Sequence, residues 1–271
     1  MSVERAPVLI VGAGYAGVSA STLLARRSVP LAGDSAHIVP PVGGLRGQTA
    51  IQDAADLAWK LALVVKGHAA PTLLDTYQIE RKPVARLAIA RAFANYVERL
   101  LPDRQELRIR EDEYGLLETA IGYRYRSDAI VADEADDGAP GTRLPHVWLR
   151  RGEETISSHD LIGRDFMLFA GRDGGDWIEA AERVARRSGA PLGVCRLGFD
   201  VDDPDGLFLP RLGVSREGTL LVWPDGYICW RSRGRSPDAF ATLEASFARA
   251  RGERIAEGSS RIETTLVGAS A

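Results

Sequence analysis

The residues whose spacing most directly implies chemistry are Gly12, Gly14 and Gly17, in the run Gly12-Ala-Gly14-Tyr-Ala-Gly17. In a G-x-G-x-x-G turn the first glycine permits the tight bend and the second lets the backbone approach a pyrophosphate. The third lets the following helix pack closely on the preceding strand. A helix opening there offers unpaired N–H groups and positive potential to phosphates. In such a unit an acidic residue about 20 positions on takes the ribose hydroxyls, and Asp34 stands 20 residues after Gly14. On spacing alone, Asp34 is the ribose acid of an ordinary NAD-type βαβ unit. The bland alternative is a glycine-rich strand–helix turn with no ligand.

The other reactive residue types point to little. Cys195 and Cys229 lie far apart in apolar, strand-like sequence and form no C-x-x-C pair, so they read as buried thiols behaving like small hydrophobes. His37, His68, His146 and His159 are scattered, and no metal site is expected. No triad is evident, and no catalytic residue is nominated.

A longer pattern surrounds Asp34. Gly33-Asp34-Ser35-Ala36-His37 is followed by Pro40-Pro41, Gly43-Gly44, Ile51-Gln52-Asp53-Ala54 and Leu57-Ala58-Trp59-Lys60-Leu61. Leu73-Leu74, Asp75-Thr-Tyr77 and Glu80-Arg81-Lys-Pro83 continue it. This stretch resembles the second FAD motif of the class A flavoprotein monooxygenases, the para-hydroxybenzoate hydroxylase-like enzymes. Within that class it looks most like the aromatic polyketide hydroxylases.

The resemblance implies that Asp34 binds a ribityl hydroxyl of FAD and that the turn through Pro41, Gly43 and Gly44 lies against the isoalloxazine ring. It also implies that Gly33, Leu45, Arg46, Gly47 and Gln48 belong to the cofactor site together with Gly12, Gly14 and Gly17. The helix from about Thr49 then directs its positive end at the flavin pyrimidine. The usual Gly-x-Gly-x-Asn of this turn appears here as Gly44-Leu45-Arg46-Gly47-Gln48. The implied activity uses NADPH to reduce FAD, and O2 to place one oxygen on a small phenolic, polyketide-type substrate.

The elements that must position these residues can be read from periodicity. Pro7–Val11 reads as a buried parallel strand, with a small-residue helix over Val18–Arg27 and a second apolar run at Val29–Ala32. From Ala50 to Val65 the pattern is helical. Ile51, Ala54, Leu57, Ala58, Leu61 and Val65 fall on one face, with Gln52, Asp53, Asp56 and Lys60 opposite. A further helix begins near Leu73, and Pro83 is expected to break it or start a new one. Asp133–Gly141 is the candidate linker.

Beyond it, His146–Leu149, Phe166–Ala170 and Leu192–Gly198 read as strands and Asp176–Arg187 as a helix. Thr219–Trp223 and Tyr227–Arg231 form a hairpin about Pro224-Asp225-Gly226. Ser236 and Pro237 are the expected cap and first residue of a last helix. This order resembles the thioredoxin-like domain appended to the polyketide hydroxylases. Gly171-Arg-Asp-Gly-Gly-Asp176 stands where a thioredoxin carries C-x-x-C, so packing or a homodimer contact is expected of the unit rather than redox chemistry.

The fold expected is α/β. Residues 1–132 form a remnant of a G-x-G-x-x-G Rossmann-like FAD-binding domain with a helical region, and residues 140–260 a thioredoxin-like domain without C-x-x-C. About fifteen residues, Val18–Ala32, join the first glycine motif to Gly33-Asp34, whereas the family places most of the FAD domain and the substrate-binding sheet between them. The interior of that region is therefore read as missing. A chain of 271 residues can still bury a substantial core. A net charge of −3 gives no electrostatic reason to expect nucleic acid or an acidic membrane, and the absence of a long apolar run makes cytoplasmic the default. Three readings stand open. The chain is an FAD-dependent aromatic monooxygenase in shortened form, a catalytically incompetent remnant acting as a thioredoxin-like interaction module, or an NAD-type Rossmann protein using Asp34.

Overall fold

The computed structural model describes residues 30–107, 115–131 and 140–253. The Gly12–Gly17 fingerprint, the expected strand and helix beside it, and most of the linker lie outside the described residues.

A 3-10 turn at Gly33–Ser35 precedes helix α1, Leu45–Val65, and helix α2, Leu73–Leu100, with a short α3 at Leu116–Ile121. α1 starts at Leu45, several residues before the helix expected from about Thr49. α1 and α2 run antiparallel. Leu45 clusters with Ala88 and Ala92 near one end, Leu57 with Tyr77 midway, and Leu63 with Leu73 near the other.

The orientation of α1 corrects the sequence reading. Ile51 and Val65 are 71% and 68% exposed, while Asp53, Asp56 and Lys60 are within 1% of complete burial. The inward stripe is Leu45, Thr49, Asp53, Leu57, Lys60 and Leu63, which keeps helical spacing but mixes charge with apolar residues. Periodicity of hydrophobicity alone cannot find such a face, because its charges are neutralised by partners on α2.

Pro83 does not break α2, whose 28 residues run through it without interruption. The ring removes the hydrogen bond to Ile79 O. Ile79 and Pro83 both lie on the exposed face, where water can satisfy that carbonyl, while Val84, Ala85 and Ala88 stay packed inside.

The C-terminal part begins with a hairpin of β1, Trp148–Arg151, and β2, Glu154–Ser157. A sheet follows, formed by β3 (Phe166–Ala170), β4 (Leu192–Arg196), β5 (Thr219–Val222) and β6 (Ile228–Ser232) in the order β4-β3-β5-β6. β3 and β4 are parallel and joined through α4, Gly175–Ser188. β5 pairs antiparallel with both β3 and β6, and α5, Ala239–Ala250, follows. A βαβ unit followed by ββα on one sheet is the thioredoxin-like arrangement. The cap of α5 differs from expectation. Asp238 accepts from Ala241 N at 2.9 Å, while Ser236 Oγ pairs instead with Thr242 Oγ1.

Strand alternation divides the core in two. Phe169, Leu220, Val222 and Ile228 face Leu149, Ile156 and Phe208. On the other side Phe166, Leu168 and Leu221 meet Trp177 and Val184 of α4 and Leu243 and Phe247 of α5. The same cluster includes Trp59, Leu63 and Leu73 from α1 and α2. Trp59 stands edge-on to Phe166 at 6.1 Å and lies 5.4 Å from Trp223. The helical part and the sheet thus share one core, which fixes the site below to a rigid base. Cys195 and Cys229 are both buried and unpaired.

Candidate functional site

The turn that leads into α1 is built from the inside outward. Asp53, one helical turn below Thr49, receives three donors. Gly33 N donates at 3.0 Å, His37 Nε2 meets the same oxygen at 2.6 Å, and Arg81 Nε donates to the other at 2.7 Å. Burial alone would raise the Asp53 carboxyl, but His37, Arg81 and the Gly33 N–H outweigh it and hold it below the usual carboxylate value. Arg81 is itself buried and donates to Tyr123 Oη at 2.7 Å, Tyr125 Oη at 2.9 Å and Thr49 O at 3.3 Å. Tyr77 Oη reaches back to Leu31 O at 2.7 Å. The contacts of Gly33, His37 and Leu31 hold the turn against α1 and α2, while Arg81 ties Asp53 to Tyr123 and Tyr125.

On that cradle sits Asp34, in the 3-10 turn Gly33–Ser35. Its carboxylate is gripped by Arg46 from the first turn of α1. Nε lies 3.0 Å from each carboxylate oxygen, and Nη2 also bonds Oδ2. The Arg46 bond holds the Asp34 carboxyl below its ordinary value. Asp34 lies inside a 3-10 turn, and the described residues before it, 30–32, form no strand, so the ribose-acid reading of Asp34 loses its structural premise.

Gly43 and Gly44 have φ values of +82° and +74°, a left-handed conformation that side-chain-bearing residues rarely adopt. Gly44 is the N-cap of α1, and among the described residues no side chain caps the helix. A Cβ built on Gly44 or Gly47 would meet nothing within 4 Å. The N–H groups of the first turn, which no described side chain caps, form the positive end of a 21-residue helix near the Asp34 carboxylate. A free helix N-terminus of this kind favours a hydrogen-bond acceptor or negative charge. Pro41, Arg46, Gly47 and Gln48 are exposed around it. Leu45 points inward and is buried against Val39, Ala88 and Ala92, so only its backbone can face a ligand.

The structure thus brings together Gly33, Asp34, Pro41, Gly43, Gly44, Leu45, Arg46, Gly47 and Gln48, while Gly12, Gly14 and Gly17 lie outside the described residues. Sequence reasoning did not assign the cradle of His37, Asp53 and Arg81 a role. Asp53 and Arg81 are 28 positions apart, and no local spacing announces such a pair. Among the described residues no group of three or more His, Cys, Asp or Glu could hold a metal ion. No described helix is long and apolar enough to cross a membrane.

A second charged cluster lies deeper, where α1 and α2 meet the β5–β6 turn. Lys60 Nζ donates to Asp56 Oδ2 at 2.9 Å and to Glu80 Oε2. Burial works against the Lys60 ammonium, and the Glu80 and Asp56 carboxylates outweigh it and keep it charged. Asp225 Oδ1 accepts from Tyr227 N at 3.2 Å, and its Oδ2 has no hydrogen-bond partner among the described residues. One ammonium cannot neutralise three carboxylates. Burial, reinforced by Asp56, pushes the Asp225 carboxyl up to about 7.

Comparison with known proteins agrees with this architecture. Residues 28–92 match the family model of an FAD binding domain, and residues 137–253 match that of the aromatic-ring hydroxylase C-terminal domain. Aklavinone 12-hydroxylase RdmE of Streptomyces purpurascens is 42% identical over 229 residues, covering 81% of this chain and 42% of that protein. 4-Methyl-5-nitrocatechol 5-monooxygenase of a Burkholderia species is 43% identical, covering 79% of this chain and 42% of that protein. Among solved structures, a ternary complex of aklavinone-11 hydroxylase with FAD and aklavinone superimposes with a TM-score of 0.76 at 42% identity. It covers 81% of this chain and 43% of that one. The chain therefore spans about two fifths of the length of the curated relatives it matches.

Proposed function

Because this chain belongs to the family of FAD-dependent aromatic-ring hydroxylases, we propose that its open turn at Gly33–Gln48 is the flavin-facing part of such an enzyme. The whole protein's activity would be hydroxylation of an aromatic, polyketide-type substrate with NADPH as reductant. FAD, when bound, supplies the redox and oxygen-transfer chemistry. The residues here supply position and charge. Asp34 accepts a hydrogen bond from a ribityl hydroxyl, and the N–H groups of Gly44–Gly47 donate to the pyrimidine edge. The α1 terminus favours negative charge developing there. Gly12, Gly14 and Gly17 would take the pyrophosphate.

The carrying observation is the uncapped, glycine-lined start of α1 beside Asp34, fixed from below by Asp53 and Arg81. Titration of the purified chain with oxidised FAD, read by flavin fluorescence, tests the reading. Saturable binding that weakens in Asp34→Asn supports it, and no affinity for FAD overturns it.

The exposed aliphatic face of α1 favours a second reading, in which this chain holds flavin but does not enclose a substrate. A hydroxylase that cannot exclude water wastes its reducing equivalents. NADPH consumption that releases peroxide and is indifferent to an added phenol would favour this reading, and oxygen incorporation into the phenol would exclude it. A homodimer through the thioredoxin-like unit and a cytoplasmic location belong to the same proposal, the first checked by analytical ultracentrifugation and the second by cell fractionation.

A further inference from the structure

The carboxylate proposed to hold the ribityl chain is already bound within the protein. Arg46 Nε lies 3.0 Å from each Asp34 oxygen, and Nη2 bonds Oδ2 as well. The two side chains keep 44% and 27% of their surface exposed, so the pair stands at the mouth of the turn and not behind it. Arg46 occupies the third position of the Gly44-Leu45-Arg46-Gly47-Gln48 turn, where the Gly-x-Gly-x-Asn pattern has no side chain at all. A glycine there leaves the carboxylate open to a ligand. The arginine fork takes both of its oxygens.

We propose that Arg46 is an affinity-determining latch in this chain, an internal competitor that a flavin ribityl hydroxyl must displace from Asp34. The inference rests on the flavin reading of the turn. The latch is exposed, and its strength is that of a surface ion pair, so its removal changes affinity by about two- to fivefold and not by orders of magnitude. The cradle below is untouched by Arg46, because Asp53 holds Gly33 through its N–H. Removing the arginine therefore frees Asp34 without releasing the turn.

The test uses riboflavin, which has the ribityl chain and ring but no phosphate for Arg46 to attract. Fluorescence titrations compare the full chain with Arg46→Ala, Asp34→Asn and the double variant. Arg46→Ala is expected to bind riboflavin about two- to fivefold more tightly. That gain should vanish when Asp34 is already asparagine. Equal or weaker binding by Arg46→Ala overturns the latch while leaving the flavin site intact. A gain that persists in the double variant also overturns it, because Arg46 would then act by bulk and not through Asp34. If neither riboflavin nor FAD binds to any of the four proteins, the flavin reading falls and the latch falls with it.

Discussion

The two faces of α1 are opposite in a way that inverts ordinary amphipathicity. The inner face buries Asp53, Asp56 and Lys60, and the outer face exposes Ile51, Val65 and a row of alanines at 54, 55, 58 and 62. Burying charge is costly unless each charge is paired and bonded, and here each has a named partner on α2: Arg81 for Asp53, and Glu80 for the Asp56–Lys60 pair. The inner face therefore specifies register between α1 and α2, since a slip of one residue would strand several charges. The outer face carries no such specification. Small and aliphatic residues suit contact with another apolar surface, and this chain spans only about two fifths of the length of the relatives it matches.

The comparison breaks most decisively at Lys60. Lys60→Ala leaves Asp56 and Glu80 buried without their cation, and removing one partner of a buried pair costs about 3–5 kcal/mol. Urea denaturation should show a loss of that size. A loss below about 1 kcal/mol, the value of an exposed pair, would mean that the inner face behaves like a solvated surface.

A smaller effect, readable as a pH profile, comes from Asp225 at the edge of the same cluster. Its carboxyl titrates at about 7 in the folded protein, against an ordinary value of 3.8. Between those values the folded chain keeps a proton that the unfolded chain has lost. The stabilisation linked to this proton is fully present below about pH 4 and is lost as pH rises through 7. Asp225→Asn should remove that decline and make the variant relatively more stable at pH 8 than at pH 5. Parallel stability–pH curves for the two proteins would show that the carboxylate is not strained by Asp56 and Glu80.

How much of this was legible beforehand follows the same division. Phe166–Ala170 and the hairpin around Pro224-Asp225-Gly226 could be read from the sequence because strand alternation and turn residues are local signals. The turn at Gly33–Gln48 could be read because its prolines fix φ and its glycines permit the left-handed conformation that tight turns need. The start of α1 was harder, since Gly44 caps by conformation alone and Leu45–Thr49 carries Arg and Gly where an apolar stripe would announce a helix. The facing of α1 was not legible at all. Asp53 and Lys60 look solvated until Arg81 and Glu80 are brought beside them from 28 and 20 residues away. Pro83 misled for a related reason, because its cost depends on whether the orphaned carbonyl meets water.

The outer face offers the smallest effect and the sharpest contrast with Lys60. Ile51→Lys and Val65→Lys each place a charge where the side chain is about 70% exposed. Exposed substitutions away from caps and pairs stay within about 0.5 kcal/mol. Each variant should therefore unfold within that margin of the parent under the denaturation used for Lys60→Ala. On hydrophobic pattern alone the order would be the reverse, with isoleucine and valine essential and lysine dispensable. If Ile51→Lys proved as damaging as Lys60→Ala, α1 would be covered on both faces in solution. The exposure of its aliphatic row would then belong to no state the chain occupies. A neutral Ile51→Lys beside a crippling Lys60→Ala would instead show that pairing, and not hydrophobicity, decides which side of this helix faces in.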